Sequence, residues 1–129
     1  MYKYSLIAGG VLGSTGIILG AFGAHYLKTI FTPELLNSFE TGVRYQFYHA
    51  FALIALGLYA RYFDQSLNLA FWLMLLGVIF FSGSIYVLCF LKANGDVGLR
   101  GLGIITPIGG VLMIVGWLLW TLNMIKLKS

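Results

Sequence analysis

The sequence predicts an all-α integral membrane protein, a four-helix bundle with a short amphipathic interfacial helix between the first and second spans. Three observations lead there. Hydrophobic residues make up 60% of the 129 residues and charged residues only 9%, against about 25% charged residues in soluble domains. A chain this short has too little interior to hide so much apolar surface from water, so a bilayer has to act as the solvent. Finally, four apolar runs, residues 4–24, 45–63, 67–91 and 107–125, approach the length of about 20 residues that crosses a hydrocarbon core. Apolar runs of that length exclude open strands, because backbone groups facing lipid must be satisfied inside their own segment. The length fits a single domain, residues 1–129, and no Ser-rich, Pro-rich or charged linker divides it.

The first run imitates a secretory signal, with Lys3, an apolar stretch and the small-residue sequence Ala21-Phe22-Gly23. Its glycines argue for a retained helix. Gly9, Gly13, Gly16, Gly20 and Gly23 recur at alternating intervals of four and three residues, a stripe along one helix face. Each costs about 1 kcal/mol of helix propensity in water, so the repeat points to close approach of another helix backbone. The stripe would equally permit oligomerisation. It is not a phosphate loop, since no strand precedes it and no Lys-Ser/Thr pair closes it.

Thr32-Pro33-Glu34 marks the start of the next helix: Thr caps, Pro suits the first helical position and Glu complements the helix dipole. Over residues 33–44 and just beyond, steps of 100° put Asn37, Glu40, Thr41, Arg44, Tyr45, Tyr48 and His49 on one half of the circumference. Leu35, Leu36, Phe39, Val43, Phe47 and Ala50 fall on the other. Such a segment lies in the interface and continues into the membrane as the second span. Glu40 and Arg44 are spaced to pair.

The third run holds the only cysteine, Cys89, which excludes an internal disulfide and a thiolate metal cluster and reads as a packed small residue. A Gly-rich approach (Gly95, Gly98, Gly101, Gly103) leads to Thr106-Pro107, which predicts a cap and first-turn proline for the fourth helix.

Helix ends alternate sides, so the end of helix 1, the amphipathic segment, the end of helix 3 and the start of helix 4 share one face. His25, Glu40, Arg44, Tyr45, Tyr48, His49, Tyr86, Arg100 and Thr106 collect there; both termini and the loop from Arg61 to Asp64 lie opposite. The eight Lys and Arg divide evenly, Lys3, Arg61, Lys126 and Lys128 against Lys28, Arg44, Lys92 and Arg100. If Arg44 and Arg100 join the polar cluster, the terminal side keeps the free positive charge and both termini are cytoplasmic. Basic residues scattered singly exclude the concentrated face that nucleic acids require. Trp72, Trp117, Trp120 and the tyrosines suit interfacial belts or packing positions.

Five blocks carry a family resemblance: Gly20-Ala21-Phe22-Gly23-Ala24-His25, Tyr45-Gln46-Phe47-Tyr48-His49-Ala50, Phe81-Ser82-Gly83-Ser84-Ile85-Tyr86, Thr106-Pro107-Ile108-Gly109-Gly110 and Gly116-Trp117. Together and in order they resemble the small membrane family catalogued as domain of unknown function 423, or uncharacterised protein family 0382, with transmembrane protein 256 among its eukaryotic relatives. The resemblance implies a multi-pass protein of the bacterial plasma membrane. It implies no activity and no cofactor.

Polar side chains inside a membrane call for a functional reading, and the cluster admits four. Histidines near a boundary can simply bond water, headgroups or a neighbouring helix. In an accessory or assembly role, small-residue faces dock other membrane subunits or a second copy while the cluster holds a lipid headgroup, with Arg44, Arg100 and the fourth helix N-terminus binding its anion. In a redox role, His25 and His49 ligate haem or a metal, or frame a quinone. In transport, the cluster forms a vestibule for protons or a small solute, within an oligomer. A regular first helix turns His25 away from the glycine stripe, and a break at Gly23 would relax this. No catalytic constellation is visible; Ser82 and Ser84 lack a paired base.

Overall fold

The computed structural model describes residues 1–95 and 100–127, except for the side chain of Arg100. Gly98 and Lys128, which figure in the sequence reading, lie outside the described residues. Four helices and no strand are present among the described residues. α1 (Tyr2–Phe22) passes through a π-helical turn (Gly23–Leu27) into a last short piece, Lys28–Ile30. α2 (Pro33–Tyr62), α3 (Asn68–Ala93) and α4 (Arg100–Lys126) follow.

Local sequence explains where α2 begins. Phe31 is extended, at φ −94° and ψ 144°, and ends the preceding helix. Thr32 Oγ1 then accepts from Leu35 N (3.2 Å), with Pro33 in the first turn and Glu34 beside it. Segment 33–44 and the span after it form one unbroken helix of 30 residues, about 45 Å long. That exceeds the hydrocarbon core of about 30 Å, so the first turns of α2 stand at or beyond the interface.

The fourth helix departs from its expected start. It is helical from Arg100, and Pro107 lies inside it rather than in its first turn. Thr106 caps nothing; its hydroxyl meets Ser84 Oγ at 2.5 Å. A proline within a helix removes one i→i−4 bond, here the one that Gly103 C=O would accept. At membrane depth a broken helix would strand several backbone groups, so continuing through one missing bond costs less.

Tyr2–Ile30, Asn68–Ala93 and Gly101–Lys126 are long and apolar enough to cross a membrane, by length and composition. α2 falls short of that measure because Gln46 and His49 interrupt its apolar run. It nevertheless packs along both α1 and α3, and its two interrupting residues are only 4% exposed.

Successive helices run antiparallel, and glycines set the closest seams. A Cβ on Gly9 of α1 would stand 2.7 Å from Ala50 O of α2, and one on Gly57 would stand 3.0 Å from Tyr2 O. Gly16 faces the Phe47 ring, Gly20 faces Val43, and Gly23 faces Phe39. The glycine stripe is therefore spent inside the chain, on the α1–α2 seam. α3 and α4 close just as tightly, a Cβ on Gly77 falling 2.9 Å from Gly109 O. The middle seam, α2 against α3, depends on side chains instead, with Ser82 Oγ donating to Gly42 O at 2.7 Å. Two apolar cores result. One lies toward the termini around Leu53, Leu56, Phe71, Met74 and Trp120; the other lies at the opposite end around Leu27, Phe31, Phe39, Val43 and Cys89.

Candidate functional site

The expected polar cluster separates into buried, fully bonded groups and exposed ones. His25 sits in the π turn and is exposed. The helix does break its regular register at Gly23, where a Cβ would press the Phe39 ring at 3.2 Å. His49 lies ten residues beyond Phe39 along α2, about 15 Å away. The fold does not bring the two histidines together, so a haem or metal held between them has no geometric basis.

His49 is buried and bonded at both ring nitrogens. Nδ1 lies 2.9 Å from Tyr45 O, and Trp117 Nε1–H donates to Nε2 at 3.3 Å. Those partners assign the neutral ring with its proton on Nδ1. The side chain ties α2 to α4 and has no nitrogen free for a ligand.

Sequence reasoning passed over Gln46, whose side chain makes three hydrogen bonds to two other helices. Its Nε2 donates to Leu12 O (2.9 Å) and Thr15 Oγ1 (2.8 Å) on α1, and its Oε1 accepts from Tyr86 OH (2.6 Å) on α3. A signal was there: Gln46 falls between Val43 and Ala50 on the apolar half of α2, where an amide needs partners. Ser5 does similar work at the other end of the α1–α2 seam, its Oγ donating to Leu53 O at 2.6 Å. Near the termini, Tyr59 OH donates to Asn123 Oδ1, and Asn123 Nδ2 donates to Gln65 Oε1.

The remaining predicted residues stay nearer the surface. Arg44 is exposed and its Nη2 donates to Thr41 Oγ1 at 2.9 Å; no ion pair with exposed Glu40 forms among the described residues. Tyr45 and Tyr48 are exposed, with ring centroids 5.5 Å apart, and Tyr45 also packs on Phe81 of α3 at 4.8 Å. Tyr86 and Thr106 are half-buried and bonded as described. The side chain of Arg100 lies outside the described residues. Among the described residues no three His, Cys, Asp or Glu side chains are grouped to hold a metal ion.

One opening at this end brings chemistry from three helices together. A cleft of about 220 Å³ is lined by Leu35 and Ser38 of α2, Ile85, Leu88, Cys89 and Lys92 of α3, and Thr106 of α4. Cys89 is buried and its thiol points to Leu35 O at 3.5 Å. What remains to face the cleft is the Lys92 ammonium and the Ser38 hydroxyl beside an aliphatic wall, the Thr106 proton being used on Ser84.

A family model described as a protein of unknown function (DUF423) matches residues 19–110, from the end of α1 to the middle of α4. A membrane protein of Staphylococcus saprophyticus, UPF0382 membrane protein SSP2132, is 37% identical over 97% of this chain and 99% of its own. The chain belongs to this family. Within the DUF423 family it is also similar to YwdK of Bacillus subtilis, 35% identical over 96% of this chain and 98% of that one. A Haemophilus influenzae member is 37% identical over 88% of this chain and 86% of its own. Each of these relatives is named as a UPF0382 membrane protein, so the helical bundle described above is that of a bacterial membrane protein family. The DUF423 match covers the π turn, Gln46, His49, Tyr86 and the cleft. No solved structure matches the chain.

Proposed function

We propose that this DUF423 protein is an accessory protein of the bacterial plasma membrane that holds an anionic lipid headgroup in the α2–α3–α4 cleft. The observation that carries the reading is the cleft itself. Lys92 and Ser38 line the cleft with Leu35, Ile85 and Leu88, a cation and a hydroxyl donor beside an apolar wall, which is the chemistry of a phosphodiester joined to acyl chains. The buried polar groups support a non-catalytic role, because His49, Gln46 and Tyr86 bond one another's helices rather than face a substrate. Residues 1 and 127 lie at the end of the bundle opposite the cleft, and the proposal puts that end in the cytoplasm.

Bound phospholipid, measured on detergent-purified protein by extraction and mass spectrometry, tests the headgroup site. Phosphatidylglycerol is expected to remain with the wild type, and Lys92→Gln is expected to lower its retention about fivefold, the effect of one lysine on an anionic headgroup. Retention unaffected by both Lys92→Gln and Ser38→Ala would overturn the proposal.

A further inference from the structure

α1 and α3 lie on either side of α2 and leave a furrow between them. Two cavities form it, of about 560 Å³ and 220 Å³, and they share Leu12 and Ile79. The larger begins at Tyr4 and Trp72 near the terminal face; the smaller ends at Leu19 and Tyr86. From residue 4 to residue 19 of α1 the furrow runs about 22 Å, most of the hydrocarbon thickness.

Its lining says what can lie there. The larger cavity is walled by aliphatic and aromatic side chains alone. Beyond the mouth, where Tyr4 and Trp72 carry an O–H and an N–H, polar groups line only the smaller cavity, and each of their donors is already used: Gln46 on Leu12 O and Thr15, Thr15 on Val11 O, Tyr86 on Gln46, and Ser82 on Gly42 O. An occupant with polar groups at that depth would find no donor. A helix over the same length fills about 1,700 Å³ at a diameter of 10 Å, more than twice the furrow, so it would stand largely outside it. A single hydrocarbon chain meets both limits.

Charge decides which lipid the chain belongs to. Lys3 lies one turn before Ile7 on the furrow flank of α1, beside the amino terminus, and Tyr4 and Trp72 stand exposed at the same mouth. Neither α1 nor α3 carries a carboxylate. Among the described residues the terminal side has one acidic side chain, Asp64 in the α2–α3 loop, against Lys3, Arg61 and Lys126. The inner end of the furrow, at Leu19 and Tyr86, has no charged lining residue.

We infer that the α1–α3 furrow seats one acyl chain of an anionic phospholipid from the terminal-side leaflet, its phosphate held at Lys3. This site lies in the opposite leaflet from the headgroup cleft proposed above and does not depend on it.

Electron spin resonance of chain-labelled lipids tests it, on full-length protein in phosphatidylcholine bilayers carrying Lys92→Gln to remove the cleft. Labelled phosphatidylglycerol is expected to show an immobilised component favoured about fivefold over labelled phosphatidylcholine. Lys3→Gln brings the two lipids close to parity. Ala8→Phe, which fills the furrow from a partly exposed position, removes the extra immobilised component while circular dichroism shows the helices intact. Equal immobilisation of both lipids before Lys3 is changed overturns the inference, as does selectivity that survives both substitutions. Disulfide-linked dimers of a Val11→Cys variant would assign the furrow to a second copy and overturn it equally.

Discussion

The side chain of Gln46 is enclosed by Leu12 and Thr15 on one side and Tyr86 on the other, and its amide nitrogen and oxygen both have partners at 2.6–2.9 Å. Hydrogen bonds between membrane helices are individually modest, about 0.6 kcal/mol on average and up to about 1.7. Leaving a buried partner bare adds to that loss. Gln46→Leu and Tyr86→Phe should therefore each destabilise the bundle by about 1–2 kcal/mol in reversible unfolding in mixed micelles. Because the two residues share a bond, the double variant should lose about 1 kcal/mol less than the sum. Strict additivity would show that the bond does not form. His49 and Trp117 are linked in the same way across α2 and α4. These residues show why the site was only half legible in the sequence. Periodicity separates the apolar half of α2 from the polar half, but it does not say which neighbour covers each half. His49 falls on the polar half yet is covered by α4; Gln46 falls on the apolar half and joins three helices.

Helix pairs in this fold differ in how they are held. A Cβ on Gly109 would approach Gly77 O to 2.6 Å, and one on Gly116 would approach Ala70 O to 3.2 Å, so α3 and α4 touch backbone to backbone. Gly109→Ala must part that seam, at an overpacking cost of about 1–3 kcal/mol. Gly10 and Gly83 have nothing within 4 Å, and alanine there should be neutral or stabilising by up to about 1 kcal/mol through helix propensity. Thermal unfolding of the three single variants should put Gly109→Ala well below the wild type and the other two at or above it. At this scale the sequence is an uneven guide. Thr32-Pro33 and Thr106-Pro107 look alike, yet the first starts a helix and the second lies within one. The difference is upstream, where extended Phe31 has already ended one helix while residues 100–105 are helical and lead straight into Thr106. The glycine stripe was readable as a packing face, but its partner was not, since the pattern is the same for a neighbour in the chain and for a second copy.

For the molecule as a whole, four antiparallel helices put residues 1 and 127 at one face with the α2–α3 loop, and the α1–α2 connection, the end of α3 and the start of α4 at the other. Labelling with a membrane-impermeant maleimide checks this, once Cys89→Ala has removed the native thiol. Lys3→Cys and Lys126→Cys should react from the same side, the cytoplasmic one under the orientation proposed here, and Glu34→Cys from the other. Reaction of Lys3→Cys and Lys126→Cys from opposite sides would break the four-crossing topology. The class of protein and its helix count were legible from composition and run lengths, because the bilayer imposes length and polarity on every span.

The weakly apolar α2 has a further consequence, one of timing. Facing hydrocarbon alone, the Gln46 amide and the His49 Nε2 would go unsatisfied at a cost of several kcal/mol per group. α1 is already made and can supply Leu12 O and Thr15, so α2 enters the bilayer as the second arm of a hairpin. The remaining partners arrive later, Tyr86 being 40 residues after Gln46 and Trp117 being 68 residues after His49. At a synthesis rate of about 5–20 residues per second, those waits are about 2–8 s and 3–14 s. Until they end, half of the chain stands in the membrane as an unfinished structure, and the pace of the ribosome sets how long it is open to capture or degradation.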